Sequence, residues 1–140
     1  MKKMVFFSFI FSSLGTLYSF ILFYPYLLNG GCAFGSTCNT LLEIPICFFG
    51  FIGFFLVSIL FWMVLLSQEE ERQIILMQKI FWITFAGMLF ALFYLIQELF
   101  TQKCFDGICF FSFEYPSCLV GFVLFLALFS VSRYLLRKEI

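Results

Sequence analysis

The residues of this 140-residue chain whose type and spacing point to chemistry are its six cysteines. Cys32 and Cys38 sit in a Gly-rich stretch and Cys47 follows near the start of a long apolar run, while Cys104, Cys109 and Cys118 lie together in the second half. Pro45-Ile46-Cys47 and Pro116-Ser117-Cys118 each open an apolar segment. If those segments are helices, each sulfur falls in a first turn, beside backbone N–H groups that have no partner within the helix. Such a setting favours thiolate over thiol, and thiol–disulfide exchange needs both a thiolate attacker and a thiolate leaving group. Cys47 reads as a small apolar residue in a packed helix, whereas Cys118 reads as the reactive member. The chain has no histidine, which removes Ser-His and Cys-His catalysis and most zinc sites.

The elements that must position these sulfurs are membrane spans. Hydrophobic residues make up 64% of the chain, charged residues 11%, and the mean hydropathy is +1.09, far from the apolar share of about one half in soluble domains. Met4–Leu28 is long enough to cross a hydrocarbon core that needs about 20 helical residues, and its length argues against a cleaved signal peptide. Ile44–Leu66, Ile74–Phe100 and Pro116–Leu136 are three further spans, so the expected fold is an all-α bundle of four transmembrane helices in a single domain. Residues 29–43 and 101–115 are the loops that carry cysteines. Ser67–Gln73 is the most polar stretch and is expected in water. Ser8, Ser12, Ser13, Thr16 and Ser19 are small enough to let a second helix approach closely. The 25 phenylalanines have no polar handle and are expected against lipid or neighbouring helices.

Orientation follows from the basic residues, which are retained on the cytoplasmic side. Lys2, Lys3, Arg72, Lys79, Arg133, Arg137 and Lys138 fall on one side of the expected topology and Lys103 alone on the other. Both termini are therefore expected in the cytoplasm, with the cysteine loops outside it. That outer compartment is the oxidising one, where disulfides form and persist. A net charge of zero with only short basic pairs gives no footprint for nucleic acid.

Two stretches resemble the vitamin K epoxide reductase family. Cys32-Ala33-Phe34-Gly35-Ser36-Thr37-Cys38, followed by Ile44-Pro45-Ile46-Cys47-Phe48-Phe49-Gly50, is similar to that family's first loop and second helix. Tyr94-Leu95-Ile96-Gln97-Glu98-Leu99-Phe100, running to Cys104, is similar to the end of its third helix. The four-helix layout with outward cysteine loops is also similar to the DsbB proteins. The resemblance implies a membrane thiol oxidoreductase in a bacterial cell membrane. A thioredoxin-fold extracytoplasmic partner is oxidised by the loop pair Cys32 and Cys38, and electrons pass through a membrane-proximal pair to a quinone of the ubiquinone, menaquinone or vitamin K type. The chain departs from both families in having no C-x-x-C. Aligned without a gap, the proximal pair is Cys104 and Cys109; aligned with an inserted loop, Tyr115-Pro116-Ser117-Cys118 takes the place of C-P-x-C and Cys118 pairs with Cys104 or Cys109.

A quinone needs an apolar slot with a few polar groups at its carbonyls. Asn39, Gln97, Glu98 and Tyr115 fall near the outer surface where such a slot opens, and each also fits an ordinary interfacial residue. The competing expectation is a non-catalytic tetraspan protein whose outer loops are stapled by stable disulfides. Such bonds resist reduction, whereas a relay needs exchangeable ones.

Overall fold

The protein is described by a computed structural model covering residues 2–29, 40–41, 44–101 and 117–139. Four helices dominate it: α1 (Lys2–Asn29), α2 (Ile46–Leu66), α3 (Glu70–Thr101) and α4 (Ser117–Glu139). All four contain stretches long and apolar enough to cross a membrane, which marks the chain as an integral multi-pass membrane protein.

The boundaries differ from the sequence expectation in instructive places. Thr40–Leu41 (β1) pairs antiparallel with Ile44–Pro45 (β2), in the register Thr40 to Pro45 and Leu41 to Ile44, so the described chain is not purely helical. Proline has no N–H to extend that ladder, and α2 begins at the next residue, which puts Pro45 just ahead of the first turn rather than in it. Helix α3 starts at Glu70, four residues before the expected Ile74. Glu70 and Glu71 occupy its first turn, where carboxylates are stabilised by the positive end of the helix dipole. The α2–α3 connection is thereby reduced to residues 67–69. The Gln73 Nε2 donates to the Ser67 carbonyl at 2.7 Å, satisfying an acceptor left open at the end of α2.

Helix α1 packs along α2, α2 along α3 and α3 along α4, with α4 touching α1 to close the ring. The contacts Phe9 with Trp62, Ser12 with Ser58 and Phe23 with Phe48 show α1 and α2 running antiparallel. At the centre, Phe54 of α2 and Phe125 of α4 meet across the bundle, their rings stacked at 4.2 Å and 14°. Glycines make room for them. A Cβ on Gly15 of α1 would stand 2.8 Å from the Phe54 ring, and one on Gly87 of α3 would stand 2.6 Å from Phe125. The knot therefore joins all four helices.

Buried hydroxyls mark the helix seams. Ser8, Ser12, Ser19, Ser58, Thr84 and Ser132 are buried, while Phe7, Leu17, Trp82 and Phe93 are exposed. This pattern suits a chain in lipid, where association rests on close packing and interhelical hydrogen bonds rather than on removing apolar surface from water. The Ser58 Oγ donates to the Ser12 Oγ at 2.9 Å, which ties α1 to α2. Ser8, Ser12 and Ser19, expected from the sequence to admit a neighbouring helix, are indeed buried, and Ser19 lies opposite Gly50 of α2.

Candidate functional site

The described chain fixes the helix starts that carry two of the six cysteines. Cys47 is the second residue of α2 and Cys118 the second residue of α4. Each is in a first turn, at the end of a helix where amide N–H groups have no partner four residues back. Their helix positions are described, their side chains are not. Cys32, Cys38, Asn39, Cys104, Cys109 and Tyr115 lie outside the described residues.

The central ring stack sets the register at this end. Cys47 precedes Phe54 by seven residues, and Cys118 precedes Phe125 by the same seven. Seven residues are close to two helical turns, so positions 47 and 54 share one face of α2, and positions 118 and 125 share one face of α4. Phe54 and Phe125 face each other across the bundle centre. Positions 47 and 118 therefore fall on the helix faces that carry Phe54 and Phe125, at a common level about 10 Å along the axis from the ring stack.

Helix α3 brings a further residue to that level. It runs antiparallel to α4: Phe81 meets Phe129 at 4.9 Å, and Gly87 lies against Phe125. One heptad beyond Gly87 is Tyr94, which is level with position 118. Tyr94 is buried and its ring is held between Phe90 at 4.8 Å and Phe93 at 5.3 Å. This phenol was not among the candidates read from the sequence, where it stands inside an apolar run. Its heptad spacing from Gly87 carries meaning only once Gly87 is known to face Phe125. Gln97 lies one turn further toward the end of α3 and is exposed, as suits an interfacial residue. Glu98 follows it in the helix, and only its helix position is described.

The structure thus brings positions 47, 94 and 118 to one level of the bundle, two carrying sulfur and one a phenol. A thiolate at such a helix start can attack or leave a disulfide, and a buried phenol can donate a hydrogen bond to an acceptor. No family model, curated protein or solved structure matches the chain.

Two of the grooves formed by the described residues open on the outer faces of the bundle, away from this level. One, of about 330 Å³, lies between α1 and α2 and is lined by Phe9, Ser13, Thr16, Phe55, Ser58, Ile59 and Trp62. Its hydroxyls are engaged: Ser13 donates to the Phe9 carbonyl at 2.8 Å, Thr16 to the Ser12 carbonyl at 2.9 Å, and Ser58 to Ser12. The other, of about 540 Å³, lies between α2 and α3 and includes Lys79.

Proposed function

We propose that the chain is a membrane thiol oxidoreductase that passes electrons from a dithiol to a quinone. The observation that carries this reading is the position of Cys118, in the first turn of α4 and one heptad ahead of the ring that fills the bundle centre. A sulfur there has backbone N–H groups to favour its thiolate and lies at a depth that a membrane-dissolved quinone can reach.

The relay runs in two exchanges. A thioredoxin-fold partner presents two thiols to a disulfide of Cys32 and Cys38; one S–S bond is exchanged for another, and the partner leaves oxidised. The electrons pass to the membrane-proximal sulfurs, with Cys118 nearest the acceptor and Cys104 or Cys109 as its resolving partner. Reoxidation of that dithiol to a disulfide delivers two electrons and two protons to a quinone, which leaves as quinol. Tyr94, with Gln97, Glu98, Asn39 and Tyr115 at the membrane edge, supplies the polar groups for the quinone carbonyls. The excess of basic residues around the α2–α3 turn and the termini supports placing that side in the cytoplasm. The cysteine-bearing connections then face the oxidising compartment of a bacterial cell membrane.

The test is a two-substrate assay on the purified protein. Dithiol oxidation should require quinone and yield one quinol per disulfide formed. Wild-type protein that oxidises no dithiol with any quinone class, and whose cysteines stay paired under mild reductant, is a stapled tetraspan scaffold instead.

A further inference from the structure

The groove between α2 and α3 holds a charge that no carboxylate among the described residues is seen to neutralise. Leu56, Ile59 and Leu60 of α2 and Ile75, Ile83 and Trp82 of α3 give it apolar walls, and Gln78 and Lys79 give it a polar corner. Its volume of about 540 Å³ lies within the range of ligand clefts, about 300–1,000 Å³. Lys79 and Trp82 are three residues apart and so share a face of α3, and both are exposed there.

Lys79 stands nine residues past the start of α3, about 13 Å along the axis, in a groove whose other lining residues apart from Gln78 are apolar. A cation at that depth is costly unless it is paired or its stem carries the ammonium toward the headgroup layer. The nearest carboxylates in the helix are Glu70 and Glu71. Glu71 is eight residues, or about 12 Å, away, which is beyond the reach of an ion pair. On the α2 wall every lining residue is uncharged. Among the described residues no group supplies the complementary charge, and an amphiphile entering from the membrane fits the groove, with an apolar tail for its walls and an anion for Lys79.

We infer that the α2–α3 groove is a binding site for an anionic phospholipid of the leaflet on the side of the α2–α3 turn. One acyl chain lies along Leu56, Ile59, Leu60 and Ile83, and the headgroup phosphate meets the Lys79 ammonium as it rises toward the interface. The α1–α2 groove is the internal contrast. It also faces outward, but it has no charged lining residue and its hydroxyls are bonded to the helices themselves.

The chain's two tryptophans allow a direct test, because Trp82 lines one groove and Trp62 the other. Full-length Trp62→Phe protein, with Trp82 as its only tryptophan, is reconstituted in phosphatidylcholine bilayers containing increasing fractions of brominated phosphatidylglycerol or brominated phosphatidylcholine. Quenching of Trp82 should show a preference of about fivefold for the anionic lipid, since one lysine near the surface contributes about 1 kcal/mol and 1.4 kcal/mol is tenfold. Lys79→Gln should bring the ratio close to one, Lys79→Arg should keep it, and about 1 M salt should weaken it in the unsubstituted groove. The Trp82→Phe protein, which reports from Trp62, should show a ratio near one under all conditions. A ratio near one at Trp82 in low salt overturns the inference, and so does a preference that survives Lys79→Gln.

Discussion

The two ends of the bundle are built from the same apolar helices, yet they differ in what they carry. Where α2 gives way to α3, only residues 67–69 intervene, Glu70 and Glu71 start the next helix, and Gln73 closes back on Ser67. No cysteine falls near that turn. Where α2 and α4 begin, the second residue of each helix is a cysteine, and the connections leading to them carry the other four. One end is a short polar join that fixes two helices antiparallel; the other places sulfur at helix starts whose dipole favours thiolate. Between them lies the Phe54–Phe125 stack, which sets the level and face of both helix starts without contributing chemistry. The contrast shows how a chain with so few polar residues separates its framework from its sulfur: the framework is phenylalanine packed on glycine, and the cysteines fall in the first turns of α2 and α4 or in the sequence leading to them.

The strongest way to break this comparison is to show that the two ends are not on opposite sides of the membrane. In a cysteine-free background, a reporter at Ser36→Cys or Gly107→Cys should label fully with an impermeant reagent applied from outside. Glu70→Cys should label only after permeabilisation. Labelling at position 70 from outside would reverse the assignment of the sides.

The framework half of the comparison is tested at Gly87. Gly87→Val puts methyl groups where a Cβ alone would already come within 2.6 Å of Phe125. Overpacking of this kind costs about 1–3 kcal/mol, seen as a lower unfolding midpoint in micelles. Phe125→Ala in the same chain should recover part of that loss, as expected for two groups in direct contact. A smaller effect is expected at the α1–α2 seam. Ser58→Ala removes the 2.9 Å bond to Ser12, and interhelical hydrogen bonds in membranes are worth about 0.6 kcal/mol on average. A loss several times larger would mean that the hydroxyl cluster does more than hold two helices together.

Most of the framework is legible in the sequence, because a long apolar run must satisfy its backbone internally and therefore forms a helix. The start of α3 is less legible. Three consecutive glutamates read as a solvated loop, yet the same charges at a helix N-terminus extend the helix by a turn. The cysteine-bearing end is legible as residue types but not as an arrangement. Pro45 and Pro116 signal helix starts, and this points to Cys47 and Cys118 directly. That Tyr94 shares their level depends on which face of α3 meets α4. An apolar sequence hides this, because hydrophobic residues surround every helix and no stripe singles out the inner face. Gly15 and Gly87 show the same difficulty: each is one glycine among nine until an aromatic ring is found against it.

The central claim, that electrons leave the protein from Cys118, is most directly tested by comparing quinone reduction in the wild-type, Cys118→Ser and Cys47→Ser proteins, each supplied with the same dithiol. A single sulfur-to-oxygen change at a helix start should leave the helical circular dichroism and unfolding midpoint of both variants close to wild type. The account predicts that Cys118→Ser loses quinone reduction, while Cys47→Ser, altered at a position read as packing, retains most of it. A folded Cys118→Ser protein that reduces quinone at the wild-type rate would contradict the account and move the active pair to Cys104 and Cys109.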